Sequence, residues 1–277
     1  MHFTKMHGIG NDYIYFNCLK EEIKNPEELS KRISDRHFGV GGDGIVLIMK
    51  SDIADFKMRM FNADGSEGKM CGNAIRCIGK YVYEKGLTSK RELTIETLSG
   101  IKTIQLNLDG NKVISVKVNM GKAILESSKI PVDINKEIIV NESVKINGDN
   151  YFITCVSMGN PHCIVFVDSL DNFEIDKIGP KFEKNILFPE GVNTEFVEVI
   201  DNKTLKMRVW ERGSGETLAC GTGSCAAVVA SILNNYCKRN DEITVKLLGG
   251  DLKIKYLSNG FVYMEGPAEF VYEGNIE

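Results

Sequence analysis

The sequence predicts an α+β protein of two similar halves related by a pseudo-two-fold axis, each a curved, mostly antiparallel sheet rolled around a central helix. Three observations lead there. Many short stretches alternate in polarity or are rich in β-branched residues and are parted by turn signals. Two longer helical stretches carry small or apolar residues around most of their circumference, the mark of a buried helix. Several features recur in the same order at one offset of 149 residues.

The strand candidates are DFKMRMFNA (55–63), ELTIETL (92–98), KTIQLNL (102–108), KVISVKV (112–118), HCIVFV (162–167), TLKMRVWE (204–211), EITVKLL (242–248), DLKIKYL (251–257) and FVYMEG (261–266). Asp109-Gly110, Asn147-Gly148, Gly249-Gly250 and Asn259-Gly260 supply the turns, and the last three strands read as a meander.

Helices are fewer. Asn25-Pro26 ahead of EELSKRIS is an N-cap followed by a first-turn proline. Residues 175–185, IDKIGPKFEKN, are helical in pattern, with an interruption expected at Gly179-Pro180. The two convincing helices are CGNAIRCIGKYVYEKG (71–86), closed by Gly86, and CGTGSCAAVVASILNNYC (220–237).

The repeat links these elements. Cys71 and Cys220 differ by 149, as do Gly10-Asn11 and Gly159-Asn160, Phe61 and Trp210, and Glu67 and Glu216. A further pair, GVGGDGIVLI (39–48) and GVNTEFVEVI (191–200), aligns at an offset of 152. A pseudo-two-fold arrangement would bring equivalent helix heads toward one shared cleft.

Composition narrows the class of function. The chain has 277 residues, 43% hydrophobic and 26% charged, with a net charge of −4, and no basic block calls for nucleic acid. Its longest strongly apolar stretch, AAVVASIL (226–233), is too short to span a bilayer. MHFTKMHGIGNDY lacks the apolar core of a signal peptide, so a cytoplasmic location is expected. Eight cysteines without a CxxC pair or zinc-finger spacing fit neither a disulfide frame nor a metal site, and most read as small buried apolar groups.

Cys71 and Cys220 are the exceptions, because each heads a helix and is followed by glycine. The first N–H groups of a helix lack internal partners, and the helix dipole is positive there. A thiolate is stabilised at that point, its pKa falling from about 8.5 toward roughly 3.5–7.5 in favourable cases. The same donors bind a carboxylate, and Gly72 and Gly221 let one approach the backbone.

An amino acid gripped this way has its α-proton exposed to abstraction, with preformed N–H donors facing the charge that grows on the carboxylate. One thiolate removes the proton from one face and one thiol returns a proton from the other, inverting the centre without a cofactor. The reverse reaction exchanges the roles, so acid and base should be the same kind of group. Glu211-Arg212 reads first as a solvated ion pair, but next to Cys220 it also suits an ammonium and a carboxylate. His162 alone reads as a satisfied core histidine or as a group tuning a thiol. Asn11, Asn62, Asn73, Asn160 and Asn193 fit turn chemistry individually, and their grouping around the repeat marks them as candidates.

The motifs HGIGNDY, FNADGS…MCGNAIRC, GNPHC, GVNTEF and ERGSGETLACGTG, in this order from residue 7 to 225, resemble the diaminopimelate epimerase family. The resemblance implies interconversion of LL- and meso-diaminopimelate without pyridoxal phosphate or metal, in lysine and cell-wall precursor synthesis. It implies that Cys71 and Cys220 are the acid/base thiols and that His162 and Glu211 tune them. Asn11, Asn62, Asn160, Asn193, Glu211 and Arg212 would contact substrate, with Gly72-Asn73 and Gly221-Thr222 at the helix heads. It also implies a homodimer and the return of EGPAEFVYEG to the first half, so that the expected domains are 1–119 plus 266–277, carrying Cys71, and 120–265, carrying Cys220, with the active site in the cleft between them. One departure stands out: some members contact substrate through a Gln where this chain has Gly44.

Other readings remain open. A proline racemase or hydroxyproline epimerase shares the chemistry, but there the first cysteine is typically followed by Gly-His rather than Gly72-Asn73. Phenazine-type isomerases of the same fold lack the cysteine pair. From other classes, a thiol-disulfide redox protein would more often keep its cysteines in one short segment, and a non-catalytic amino-acid-binding module needs no thiols.

Overall fold

The computed structural model describes residues 1–277. The chain forms two compact units, Met1–Asn119 with Glu265–Glu277, and Met120–Met264.

The first unit opens with β1 (His2–Gly8) and β2 (Asn11–Asn17), a hairpin turned by Ile9 and Gly10 at φ of 50° and 86°. Positive φ at both positions matches the twist of the strands, but it is strained for a β-branched residue, and Ile9 is held there by burial. There follow α1 (Pro26–Ile33), β3 (Gly44–Met49), β4 (Phe56–Asn62), the short β5 (Glu67–Gly68), α2 (Gly72–Glu84), β6 (Glu92–Thr97), β7 (Gly100–Asp109) and β8 (Lys112–Lys122).

The second unit holds β9 (Glu142–Ile146), β10 (Asp149–Ser157), β11 (Pro161–Phe166), α3 (Ile175–Glu183), β12 (Asn193–Asp201), β13 (Thr204–Glu211), β14 (Gly215–Thr217), α4 (Gly221–Leu233), β15 (Glu242–Leu247), β16 (Gly250–Tyr256) and β17 (Phe261–Gly266). The last strand, β18 (Glu269–Asn275), belongs to the first unit and pairs antiparallel with β1, as β9 does with β10.

Most neighbours are antiparallel, as the hairpin signals predict. Each unit also contains parallel pairs, β2–β3 and β4–β6 in the first and β11–β12 and β13–β15 in the second. Helices α1, α2, α3 and α4 lie between those strands in the chain, because a parallel pair needs a long crossover.

The pairing register refines the repeat. Tyr13 faces Gly44 and Ile45 faces Phe61, while His162 faces Asn193 and Thr194 faces Trp210. Every one of these positions differs from its counterpart by 149, so Gly44 corresponds to Asn193. The offset of 152 suggested by GVGGDGIVLI and GVNTEFVEVI is therefore out of register by three residues. It matched the shared Gly-Val, which lies in the loops before the strands.

A paired ion contact repeats at the same spacing. Arg59 on β4 grips Glu67 through Nε and Nη2 at 2.7 and 3.0 Å. Arg208 on β13 grips Glu216 in the same way at 2.6 and 2.9 Å. Each bidentate pair ties the short strand that leads to a helix head.

Helix bounds depart from expectation in two places. The last helix stops at Leu233 rather than 237, because Asn235 turns left-handed at φ 63°. Conversely, α3 runs through Gly179-Pro180 without a break. Gly179 is needed there, since a Cβ would fall 2.4 Å from Trp210 Cγ. Along α4 the residues from Cys225 to Ala230 are wholly buried, and each valine contributes about 1.5–3 kcal/mol by leaving water.

Candidate active site

Cys71 and Cys220 occupy the N-cap positions of α2 and α4, both with extended backbone (φ −127°, ψ 123° and φ −119°, ψ 108°). Neither helix has an acidic residue of its own in its first turn. The two helix heads treat their sulfurs differently.

In the first unit the Cys71 thiol donates to Asn11 Oδ1 at 3.3 Å. Asn11 Nδ2 in turn donates to Asp43 Oδ2 at 2.7 Å, and the Asp12 N–H reaches the same oxygen at 3.1 Å. Arg36 bridges Asp43 and Asp12, and the buried Lys5 ammonium holds Asp12 at 2.6 Å and also donates to the Gly41 carbonyl. Burial, and then the charge of Asp12, push Asp43 above the ordinary carboxylate value. Burial also pushes Asp12 upward, but Arg36 and Lys5 outweigh it and hold that carboxyl low. Asn73 is buried inside α2. Below it Arg76, fully buried, donates to the carbonyls of Gly72 and Pro267, fixing the start of the helix to the C-terminal segment. Asn62 lies at the end of β4 with its amide on Ser66 Oγ at 3.0 Å.

In the second unit the Cys220 sulfur accepts from the Gly223 N–H at 3.4 Å and lies 3.6 Å from Thr222 Oγ1. His162 Nδ1 is 2.7 Å from Glu195 Oε1, and its Nε2 is 3.1 Å from Asn160 Oδ1. Glu195 adjoins the helix head, because a Cβ on Gly223 would come within 2.5 Å of Glu195 Oε1 and 3.1 Å of the Cys220 sulfur. Asn193 Nδ2 donates to the Pro161 carbonyl at 2.9 Å while its Oδ1 accepts from the Arg212 N–H at 3.0 Å. Thr217 Oγ1 donates to Glu211, and Arg212 Nη1 donates to the Glu190 carbonyl at 2.8 Å.

The helix head does not lower the Cys220 pKa as its position alone predicts. Burial pushes the thiol well above its ordinary value, the charges of Glu211 and then Glu195 push the same way, and the Thr222 and Gly223 contacts only partly oppose them. The carboxylates that the strands bring beside the helix act against its dipole.

Gly44 has a specific reason. At φ 155°, a Cβ there would lie 2.0 Å from the Phe61 carbonyl oxygen. In the second unit the Asn193 side chain bridges Pro161 and Arg212. In the first unit the equivalents of those residues are Asp12 and Ala63, and the Asp43 peptide makes both bonds, its N–H donating to Asp12 O at 2.7 Å and its C=O accepting from Ala63 at 3.0 Å. Backbone thus replaces a side-chain amide, and glycine permits the kink that brings it there.

Several residues escaped the sequence reading. Glu195 lies at a strand start buried on both faces, where alternation gives no sign of which side a carboxylate takes. Asp12, Asp43 and Arg36 carry no signal of their own in the sequence, because only the fold brings them together. No cluster of three or more His, Cys, Asp or Glu side chains has metal-holding geometry, and no helix is long and apolar enough to cross a membrane. A surface pocket of about 790 Å³ lined by Phe16, Cys18, Ile23, Leu29 and Arg32 takes in none of the candidate residues.

Comparison with known proteins identifies the family and the fold. A family model described as diaminopimelate epimerase matches residues 3–126 and 154–271. The diaminopimelate epimerase of Acetivibrio thermocellus is 59% identical, covering 100% of this chain and 99% of its own. That of Methanococcus maripaludis is 56% identical over 100% of both. Among solved structures, a PhzF-family phenazine biosynthesis protein from Bacillus anthracis superposes with a TM-score of 0.72 at 19% identity, covering 100% of this chain and 99% of that one. A probable proline racemase from Agrobacterium radiobacter gives 0.71 at 11% identity, covering 100% and 92%. At such identities these two structures speak for the fold. On the full-length sequence matches, the chain belongs to the diaminopimelate epimerase family.

Proposed function

We propose that this chain interconverts LL- and meso-diaminopimelate in lysine and cell-wall precursor synthesis, with Cys71 and Cys220 as the paired acid and base and no cofactor. The observation that carries the reading is the repetition itself: two related units each set a cysteine at the N-cap of a buried helix, followed by glycine. The chemistry requires the two sulfurs to address opposite faces of one α-carbon.

In each turnover a thiolate forms an S–H bond with the α-hydrogen as the Cα–H bond breaks. The electron pair moves into the carboxylate, where the N–H groups after Cys71 and Cys220 meet the growing charge. The opposite thiol then gives its proton to the α-carbon. Gly72, Asn73, Gly221 and Thr222 sit at those helix heads. Glu211 and Arg212 suit the ammonium and carboxylate of a zwitterion, and a guanidinium offers five donors, of which Nη1 already reaches Glu190. Asn11, Asn62, Asn160 and Asn193 complete the polar lining. An ammonium resting on Glu211 offsets the carboxylate charge that raises the Cys220 pKa, so substrate binding favours the thiolate. His162 acts on the thiol through Glu195. Family membership supports a cytosolic homodimer, which sedimentation checks.

The test is exchange of the α-hydrogen with solvent deuterium, measured for diaminopimelate, glutamate, aspartate and proline. Diaminopimelate should exchange and equilibrate its isomers, and Cys71→Ala or Cys220→Ala should lower the rate by about 10²–10⁴-fold or more. Full turnover with either thiol removed would sink the two-base scheme, and preference for proline would move the chain to the racemase reading.

A further inference from the structure

We propose that Asp43 is a positioning residue for the Cys71 proton: its carboxylate locks the Asn11 carboxamide with the oxygen toward the sulfur, so that Cys71 is held as a hydrogen donor until substrate enters. The inference rests on the acid/base role of Cys71 given above and adds to it the device that sets the resting state of that thiol.

The lock follows from hydrogen-bond inventory. Asp43 Oδ2 lies 2.7 Å from one end of the Asn11 carboxamide. An ionised carboxylate only accepts, so that end is the NH2 and the other is the carbonyl oxygen. The carbonyl oxygen is the atom 3.3 Å from the Cys71 sulfur. It can accept from a thiol, but it repels a thiolate. A released amide could turn and offer its NH2 instead, and would then favour the thiolate.

Asp43 is itself held from three sides. Its Oδ2 also takes the Asp12 N–H at 3.1 Å, its Oδ1 takes Arg36 Nη2 at 2.9 Å, and its peptide is tied to Asp12 and Ala63 through the kink at Gly44. Arg36 and Lys5 together balance Asp43 and Asp12, so the cluster adds little net charge near the thiol. Other titratable groups around Cys71 in this unit include Tyr15 on β2, hydrogen-bonded to the Ala74 carbonyl, and Cys77 on α2, on which Arg76 and Glu269 act. Both Tyr15 and Cys77 are pushed upward by burial and stay neutral.

The experiment follows iodoacetamide labelling of Cys71 against pH by peptide mass spectrometry, in the full chain without substrate. Labelling reports the thiolate and needs no turnover, so it reads the lock even if the substrate assignment fails. Asp43→Ala should lower the labelling midpoint by about one pH unit, a tenfold faster reaction below the midpoint. Asn11→Ala, which deletes the acceptor, should lower it similarly. Asp43→Ala should add nothing in the Asn11→Ala background. Asp43→Asn loses the charge but keeps an acceptor facing the two donors Asn11 Nδ2 and Asp12 N–H, and should label like the parent. An unmoved midpoint in Asn11→Ala overturns the proposal. So does an equal shift in Asp43→Asn and Asp43→Ala, which would show that bare charge acts. If Asp43→Ala loses its far-ultraviolet dichroism, Asn11→Ala and Asp43→Asn decide the matter alone.

Discussion

His162 Nδ1 and Glu195 Oε1 stand 2.7 Å apart with both side chains fully buried. A carboxylate only accepts, so the imidazole donates through Nδ1. The other carboxylate oxygen, Oε2, is buried without a hydrogen-bond partner, which makes the pair costly to half-remove. Glu195→Ala should destabilise the chain by about 3–5 kcal/mol, whereas Glu195→Gln, which keeps an acceptor, should cost about 1 kcal/mol. Urea midpoints at constant m-value measure both. A loss below about 1 kcal/mol for the alanine variant would show that water or a neighbour takes over the histidine.

Gly44→Ala tests the backbone substitution in the first unit. The added Cβ meets the Phe61 carbonyl oxygen at 2.0 Å, and a φ of 155° disfavours any side chain. The combined strain and overlap should cost roughly 3 kcal/mol or more. The corresponding change Asn193→Gly should instead remove two hydrogen bonds and cost about 1–3 kcal/mol by the usual magnitude of each. A near-neutral Gly44→Ala, read by thermal denaturation, would mean that the kink relaxes.

The paired ion contacts should differ in worth although they occupy equivalent places. Arg59 and Glu67 are 31% and 28% exposed, and Arg208 and Glu216 are each 20% exposed. Arg208 also donates to the Phe173 carbonyl at 2.6 Å. A double-mutant cycle should give about 0.2–1 kcal/mol for Arg59–Glu67. For Arg208–Glu216 the coupling should be larger, and Arg208→Ala should cost more than Arg59→Ala by about 1 kcal/mol for the additional bond. Equal costs would argue against any role for burial and for Phe173.

Cys220 should label slowly at neutral pH. A raised thiol pKa leaves the neutral form dominant below it, so the alkylation rate climbs only as pH passes the shifted value. The midpoint should exceed that of a free cysteine, about 8.5. Glu211→Gln removes the strongest of the two carboxylate effects and should bring the midpoint down, with burial still holding it above the free value. A Cys220 midpoint at or below the free-thiol value in the unaltered chain would refute this account.

The strands at 204–211 and 261–266 coincide with the sequence reading residue for residue, because polarity alternation and turn residues are local properties. The two cysteine-headed helices were legible for the same reason, as was the repeat through Cys71/Cys220, Phe61/Trp210 and Glu67/Glu216. Two helix details were not legible: the end of α4 depends on Asn235 taking a left-handed backbone, and the continuity of α3 across Gly179-Pro180 goes with its close packing on Trp210 of β13.

By itself the sequence determined which residue types head the buried helices and which family pattern they follow. Only the tertiary structure decided how those residues are partnered: Asn11 with Cys71, Asp43 behind Asn11, Glu195 with His162, and the Asp43 peptide in the place of the Asn193 amide. Each of these contacts joins segments about 20 to 60 residues apart, and a slip of one residue in strand register would turn the side chains to the opposite face. The proton state of a thiol follows from those neighbours, and the order of residues along the chain does not contain it.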